Sequence, residues 1–197
     1  MFAAWLVNAA RRTAEALVTP LARLGVTPNA LTLAGLALNL VTAAVIAMGH
    51  LAWGGALVLF SGAFDMLDGA LARVTQQNSV FGAFFDSTVD RIAEAALFLG
   101  LLLYYHQRGG SLVELGLTYV AVTGSLLVSY ARARAEGLGL ECKVGLFQRP
   151  ERVVALGLGL LAGPLVLQGA LALLAVVTSI TVVQRIAHVW RTAPHAT

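Results

Sequence analysis

Charged residues are scarce in this chain of 197 amino acids. Asp, Glu, Lys and Arg make up 12% of it, against about 25% in soluble domains, while hydrophobic residues make up 58%. The mean hydropathy of +0.81 agrees with this, and a soluble globular enzyme is excluded. Thirteen Lys and Arg against ten Asp and Glu leave a net charge of only +3, which excludes a basic nucleic-acid-binding surface and with it DNA and RNA as partners. The single cysteine, Cys142, allows neither an intramolecular disulfide nor a cysteine-based metal site.

Long stretches without charge predict where the chain crosses a membrane. No Asp, Glu, Lys or Arg occurs from residue 24 to 64 or from 153 to 184. Because a bilayer-spanning helix needs about 20 apolar residues, each stretch is expected to hold two spans. Residues 81–105 and 115–134 add one span each. The prediction is an all-α integral membrane protein with six transmembrane helices within residues 25–190.

The start of the chain has a different pattern. Apolar side chains such as Trp5 and Leu6 alternate with basic ones such as Arg11 at helical spacing, which is typical of an amphipathic helix in the membrane interface. We therefore expect residues 1–24 to form a juxtamembrane amphipathic helix. The absence of repeats and linkers predicts a single domain over residues 1–197.

Basic residues are distributed unevenly about the predicted spans. Nearly all Lys and Arg fall at one end of the six helices, and only Arg108 lies in a connection at the other end. Because cytoplasmic loops carry the excess of Lys and Arg, we expect a multi-pass protein of the cytoplasmic membrane. Both termini and the acidic cluster described next should then face the cytoplasm.

Four aspartates lie within the predicted spans, where ionisable side chains are costly and usually mark a functional site. Asp65 and Asp68 are three residues apart at the end of the second span, and Asp86 and Asp90 are four apart at the start of the third. Each pair therefore shares one helix face. The polar turn at residues 75–79 predicts an antiparallel hairpin, which places the two pairs opposite each other.

Opposed carboxylates repel one another where the dielectric constant is low, so cations are expected between them. All the nearby ligands are oxygen atoms, with no His or Cys among them, which favours Mg²⁺ or Mn²⁺ over zinc or copper. The alternative interpretation is a structural salt-bridge network in which the aspartates pair with Arg73 and Arg91.

The acidic residues belong to a longer pattern with fixed spacing, D-x2-D-G-x2-A-R-x8-G-x3-D-x3-D. Its specified positions are Asp65, Asp68, Gly69, Ala72, Arg73, Gly82, Asp86 and Asp90. The pattern resembles the signature of the CDP-alcohol phosphatidyltransferases and departs from it at no position. The resemblance implies a transferase that takes a phosphatidyl group from CDP-diacylglycerol, releases CMP and uses two divalent ions, Mg²⁺ or Mn²⁺.

The resemblance also implies a role for each residue of the signature. Asp65, Asp68 and Asp86 are expected to hold two ions that bridge the diphosphate of the CDP-lipid. Asp90 is expected to be the general base that takes the proton of the acceptor hydroxyl, and to contact a metal as well. The residues expected to contact the cytidine and phosphates of the lipid are Gly69, Ala72, Arg73 and Gly82, beside Asp65 and Asp68.

Upstream, the segment T-P-N-A-L-T at residues 27–32 resembles the family's entry to its first span. One interpretation is structural, because Pro28 suits a helix start and Asn29 is a reasonable cap. The other is functional, with Asn29 contacting the diphosphate of the CDP-lipid.

Basic residues gather at the ends of the later spans. Those expected to bind a phosphate on the acceptor are Arg132, Lys143, Arg149, Arg152 and Arg185. Three of these, Arg132, Arg152 and Arg185, come from three different predicted helices, where guanidinium groups can grip a phosphate. Single juxtamembrane arginines more often set topology or contact lipid headgroups, and this interpretation stays open.

Three segments carry a narrower resemblance. S-Y-x-R-A-R-A-E at 129–136, R-P-E-R at 149–152 and Q-R at 184–185 resemble bacterial phosphatidylinositol phosphate synthases. The resemblance implies myo-inositol 1-phosphate as the acceptor and a homodimeric assembly. The alternative acceptor is glycerol 3-phosphate, as in a phosphatidylglycerophosphate synthase. The non-enzyme alternative is a divalent-cation transporter, which would tend to place carboxylates near the middle of the membrane in repeated halves.

Overall fold

The computed structural model describes residues 2–77 and 79–193, with side chains from residue 13 onward. Every regular element in these residues is an α-helix. The helices are α1 (Phe2–Arg23), α2 (Pro28–Ala47), α3 (Leu51–Phe64), α4 (Met66–Val74), α5 (Val80–Gln107), α6 (Leu112–Gly137), α7 (Arg149–Leu161) and α8 (Pro164–Thr192). Asp65 alone separates α3 from α4.

Among the described residues, four helices are long and apolar enough to cross a membrane: α2, α3 with α4, α6 and α8. Their outer surfaces are apolar, as Trp53 and Leu165 illustrate with exposed fractions of 72% and 81%. Four of the six predicted membrane spans are therefore supported. Helix α5 is long enough but carries four charged residues between positions 86 and 94. Helix α7 has 13 residues, about 20 Å of rise, which is shorter than a hydrocarbon core of about 30 Å.

Local sequence determines where the helices begin and end. The Thr27 side chain accepts a hydrogen bond from the Ala30 amide and caps α2, with Pro28 in the first turn. The interpretation of Asn29 as the cap is therefore wrong by two residues, because the hydroxyl of Thr27 already accepts from the free Ala30 amide. The break predicted between the last two helices is present at Gly163, whose φ of 97° favours glycine.

The helices pack in pairs that are distant in sequence. Helix α2 lies against α5, α3 against α7, and α6 against α8. The main core between them is apolar and includes the fully buried Ile46, Leu101, Leu160 and Leu171. Because α2 packs along α5 while α3 packs along α7, the charged start of α5 and the charged start of α7 meet near Asp65.

Helix α1 packs on the bundle through a second, smaller cluster. Ala14 and Val18 of α1 are buried against Leu31, Ala70 and Leu71. This agrees with a helix that buries one apolar face. The side chains of residues 2–12, among them the predicted interfacial Trp5, Leu6 and Arg11, lie outside the described ones, as does Asn78 in the predicted turn.

Replacing Gly55 by alanine should loosen the packing of α3 on α7. A Cβ there would lie 2.6 Å from the Gly157 carbonyl oxygen and 2.7 Å from the Leu161 amide nitrogen, and backbone atoms cannot turn aside. Gly55→Ala should reduce the free energy of unfolding in detergent by about 1–3 kcal/mol. The control is Gly116→Ala, since a Cβ at Gly116 meets nothing within 4 Å. Equal stability of the two variants would contradict this packing.

Candidate functional site

The four aspartates lie at the junction of α3, α4 and α5. Asp65 sits at the break between α3 and α4, and Asp68 lies in the first turn of α4. Asp86 and Asp90 lie one turn apart on α5. Asp86 interacts electrostatically with each of the other three, so the structure brings both pairs together.

Arg149, in the first turn of α7, bridges two of these carboxylates. Its Nη2 lies 2.7 Å from Oδ2 of Asp65, and its Nη1 lies 2.6 Å from Oδ2 of Asp90. The sequence assigned Arg149 to the acceptor phosphate and named Arg73 and Arg91 as alternative partners. Arg91 is 3.6 Å from Asp90 and donates to its own helix. The charge that faces the aspartates thus comes from another helix, far along the chain.

Asp68 is held by a hydroxyl that the sequence analysis did not single out. Oγ1 of Thr32 in α2 donates to Oδ2 of Asp68 at 2.9 Å, and the Gly69 amide donates to Oδ1 at 2.6 Å. Thr32 lies three residues after Asn29, and residues at this spacing share a helix face. This spacing could have identified Thr32 from the sequence, because it puts both polar side chains on the face of α2 toward α4.

A cleft of about 590 Å³ opens beside Asp68 and Asp86. Its other lining residues are Thr27, Pro28, Asn29, Thr32, Gly69, Ala72, Gln77, Ser79, Gly82 and Ala83. Ser79 caps α5 and accepts from the Gly82 amide at 2.9 Å. The small residues of the signature and Asn29 therefore line the same cleft, and a Cβ at Gly82 would lie 3.6 Å from Oδ1 of Asn29.

Arg73 lies at the edge of this cleft. Its Nε is 3.5 Å from Oε1 of Glu15 in α1, and about two-fifths of its side chain is exposed. Its Nη1 lies 3.5 Å from where a Cβ of Gly69 would be. Arg73 is thus near the predicted cytidine contacts and is tied to α1.

A second cavity, of about 30 Å³, lies on the other side of Asp65. Its polar lining residues are Asn39, Ser61, Asp65, Glu94, Arg149 and Arg152. The Arg152 side chain is 3% exposed and contacts Glu94, a carboxylate that the sequence analysis missed. The sequence could have indicated Glu94, because it lies four residues after Asp90 and continues the acidic face of α5.

The other predicted phosphate-binding cations are farther from the aspartates and have protein partners. Arg185 is buried and donates to the carbonyl oxygens of Val144 and Val128. Arg132 pairs with Glu136 at 2.8 Å. Arg185 interacts electrostatically with both Arg132 and Arg152, so these three arginines from three helices are neighbours, as predicted.

Lys143 lies apart from this group, in the exposed loop after α6. Its Nζ is 2.6 Å from Oε1 of Glu141. This hydrogen bond, with the positive charge behind it, lowers the pKa of the Glu141 carboxyl. The structure does not bring Lys143 to the aspartates.

The donor chemistry of the acidic cluster fits a divalent cation. The four side chains offer only carboxylate oxygens, and one cationic group already lies within bonding distance of both Asp65 and Asp90. Across residues 2–77 and 79–193, no three acidic, His or Cys side chains converge as a preformed metal shell. Asp65, Asp68, Asp86 and Asp90 would hold the ion, and Arg149 contacts two of them.

Comparison with known proteins identifies relatives over nearly the whole chain. Residues 25–184 match the family model of the CDP-alcohol phosphatidyltransferases. The phosphatidylinositol phosphate synthase of Mycobacteroides abscessus is 39% identical over 196 residues, covering 94% of this chain and 89% of that protein. The archaetidylinositol phosphate synthase of Methanothermobacter thermautotrophicus is 35% identical over 191 residues, covering 94% of this chain and 95% of that protein.

Two solved structures are closely similar to this chain in fold. The crystal structure of Mycobacterium tuberculosis phosphatidylinositol phosphate synthase (PgsA1) with CDP-DAG bound has a TM-score of 0.85 at 34% identity, covering 94% of this chain and all of that one. The same enzyme in complex with manganese and citrate gives a TM-score of 0.85 at 34% identity, covering 93% of each chain.

Removing the guanidinium at Arg149 should make the acidic cluster depend on added cation. In metal-free detergent, Arg149→Gln should lower the free energy of unfolding by about 1–3 kcal/mol, because Asp65 and Asp90 lose their charged partner. Mn²⁺ should then raise the melting temperature of the variant more than that of the wild type. Arg134→Gln, at an exposed position, is the control and should show the wild-type response. An equal Mn²⁺-induced rise in all three proteins would contradict this interpretation.

Proposed function

Since this chain belongs to the CDP-alcohol phosphatidyltransferase family, we propose that it transfers the phosphatidyl group of CDP-diacylglycerol to myo-inositol 1-phosphate and releases CMP. One observation carries the proposal. Asp68 and Asp86 line a cleft of about 590 Å³, whereas Asp65 lines a separate small cavity together with Arg149 and Arg152. This arrangement suits a reaction that joins a nucleotide-linked donor to an anionic acceptor.

The donor binds in the larger cleft. Gly69, Ala72 and Gly82 leave room along one wall for the cytidine ring, while Asn29 and Thr32 supply polar groups from α2. The relative from Mycobacterium tuberculosis, whose structure contains CDP-DAG, supports CDP-diacylglycerol as the donor. Arg73, at the edge of the cleft, contributes positive charge toward the phosphates.

Asp65, Asp68 and Asp86 would hold two divalent ions, Mg²⁺ or Mn²⁺, with Asp90 as a further ligand. When bound, such ions offset the negative charge of the diphosphate and orient it for in-line displacement. The manganese complex of the Mycobacterium tuberculosis relative supports this cofactor. The Thr32 hydroxyl donates a hydrogen bond to Oδ2 of Asp68 and thereby fixes the orientation of this carboxylate.

Asp90 performs the proton chemistry. Its carboxylate takes the proton of the acceptor hydroxyl as the hydroxyl oxygen forms a bond to the lipid-bearing phosphorus. The bond from that phosphorus to the bridging oxygen breaks, and CMP leaves with the electron pair. Arg149 lies 2.6 Å from Asp90 and orients this carboxylate until substrate is bound.

The acceptor is assigned from the basic residues and from the relatives. Arg149 and Arg152 provide guanidinium groups for a phosphate in the cavity that Asp65 lines, and Arg185 adds positive charge near Arg152. The names of the two relatives differ in the lipid, phosphatidyl against archaetidyl, and agree in inositol phosphate. That agreement favours inositol 1-phosphate over glycerol 3-phosphate, and membership of a transferase family favours an enzyme over a cation transporter.

The membrane arrangement completes the proposal. Helices α2, α3 with α4, α5, α6, α7 and α8 form six membrane segments, and α1 lies in the interface. The Asp90 and Glu94 side chains of α5 are only 14% and 12% exposed, so its charges are turned away from lipid. The excess of basic residues at one end supports a site at the cytoplasmic face of the cell membrane. A homodimer is the assembly that the family resemblance implies.

The acceptor assignment predicts a distinct pattern of CMP release. With CDP-diacylglycerol and Mn²⁺ or Mg²⁺, the purified protein should release CMP rapidly with inositol 1-phosphate and at least tenfold more slowly with glycerol 3-phosphate. Serine and free inositol should give only background release, since neither supplies a phosphate for the arginines. Turnover with glycerol 3-phosphate alone would replace the proposed acceptor, and turnover with free inositol or serine alone would remove the phosphate site.

A further inference from the structure

Glu94 and Arg152 form a buried ion pair between α5 and α7. Nε of Arg152 lies 3.0 Å from Oε1 of Glu94, and Nη2 lies 3.3 Å from Oε2. The two side chains are 12% and 3% exposed. Both carboxylate oxygens of Glu94 are thus used by one guanidinium group, in the two-pronged geometry that fixes the plane of an arginine most firmly.

The pair leaves one nitrogen of Arg152 available. Nη2 is also 3.5 Å from Oγ of Ser129 in α6, so Nε and Nη2 are taken. Nη1 makes no hydrogen bond to any side chain or backbone group in the described part of the chain. Arg152 lines the 30 Å³ cavity together with Asp65 and Arg149, at the acceptor side of the aspartates.

An unrestrained arginine has many rotamers, and fixing them on binding costs free energy. A carboxylate that holds the guanidinium before the ligand arrives removes that cost from the binding step. Glu94 is placed for this task, because it lies one turn beyond Asp90 on the same face of α5 and reaches Arg152 across the gap to α7.

We propose that Glu94 is a positioning residue for the acceptor: it fixes the Arg152 guanidinium beside Asp65 with Nη1 free for the acceptor phosphate. This rests on the proposed function, because it takes the acceptor to be a phosphorylated alcohol. Glu94 also lines the cavity that Arg152 lines, but both of its carboxylate oxygens accept from Arg152, so it acts on the acceptor through Arg152.

The test is a split between the two Michaelis constants. Glu94→Gln should raise the apparent KM for inositol 1-phosphate about tenfold, the effect expected for one charged hydrogen bond, and leave the KM for CDP-diacylglycerol within twofold. Glu114→Gln, at the start of α6 and far from the aspartates, is the matched control and should change neither constant. A folded Glu94→Gln protein with an unchanged acceptor KM would overturn the proposal.

A second comparison separates positioning from mere stability. Adding Glu94→Gln to an Arg152→Gln protein should raise the acceptor KM no further, because the route through Arg152 is already lost. Independent effects that multiply would overturn the proposal. Where Glu94→Gln fails to fold, Glu94→Asp keeps the charge but shortens the reach. It should raise the acceptor KM about threefold, and an unchanged value would overturn the proposal.

The wild-type control keeps the two proposals apart. If the wild type uses glycerol 3-phosphate and not inositol 1-phosphate, the proposed acceptor is wrong. The KM for glycerol 3-phosphate, compared between Glu94→Gln and the wild type, then tests the role of Glu94. A wild type that uses only an acceptor without phosphate overturns both proposals.

Discussion

Four carboxylates brought together in an apolar helical bundle require positive charge, and this requirement organises the rest of the structure. The break between α3 and α4 places Asp65 and Asp68 at one level, and the start of α5 brings Asp86 and Asp90 to the same level. Helix α7 begins where its first-turn Arg149 can reach across to two of them.

The packing pairs divide the site into two sides. Helix α2, which packs on α5, brings Thr32 and Asn29 to the cleft beside Asp68 and Asp86. Helix α7, which packs on α3, brings Arg149 and Arg152 to the opposite side of Asp65. Under the proposed function, donor and acceptor would approach the carboxylate cluster from these two cavities, which suits an in-line displacement.

Much of this site was predictable from sequence, because the signature joins its residues through two helices linked by one short turn. Local spacing is enough to place Asp65 against Asp86. It does not predict contacts such as Arg149 with Asp65, which depend on how α7 packs in three dimensions. The Glu94–Arg152 pair was missed for the same reason. The prediction that Arg132, Arg152 and Arg185 are neighbours agrees with the structure, whereas the cap predicted at Asn29 was wrong because Thr27 precedes it.

We propose that the acidic cluster is the divalent-metal site. Arg149 occupies part of this site through its ion pairs with Asp65 and Asp90. Anomalous diffraction at the manganese edge, from crystals grown with Mn²⁺, tests this most directly. Manganese peaks are expected within bonding distance, about 2.0–2.6 Å, of oxygens from Asp65, Asp68 and Asp86. The Arg149 guanidinium should have moved away from Asp65. Manganese bound elsewhere, with Arg149 still bridging Asp65 and Asp90, would contradict the proposal.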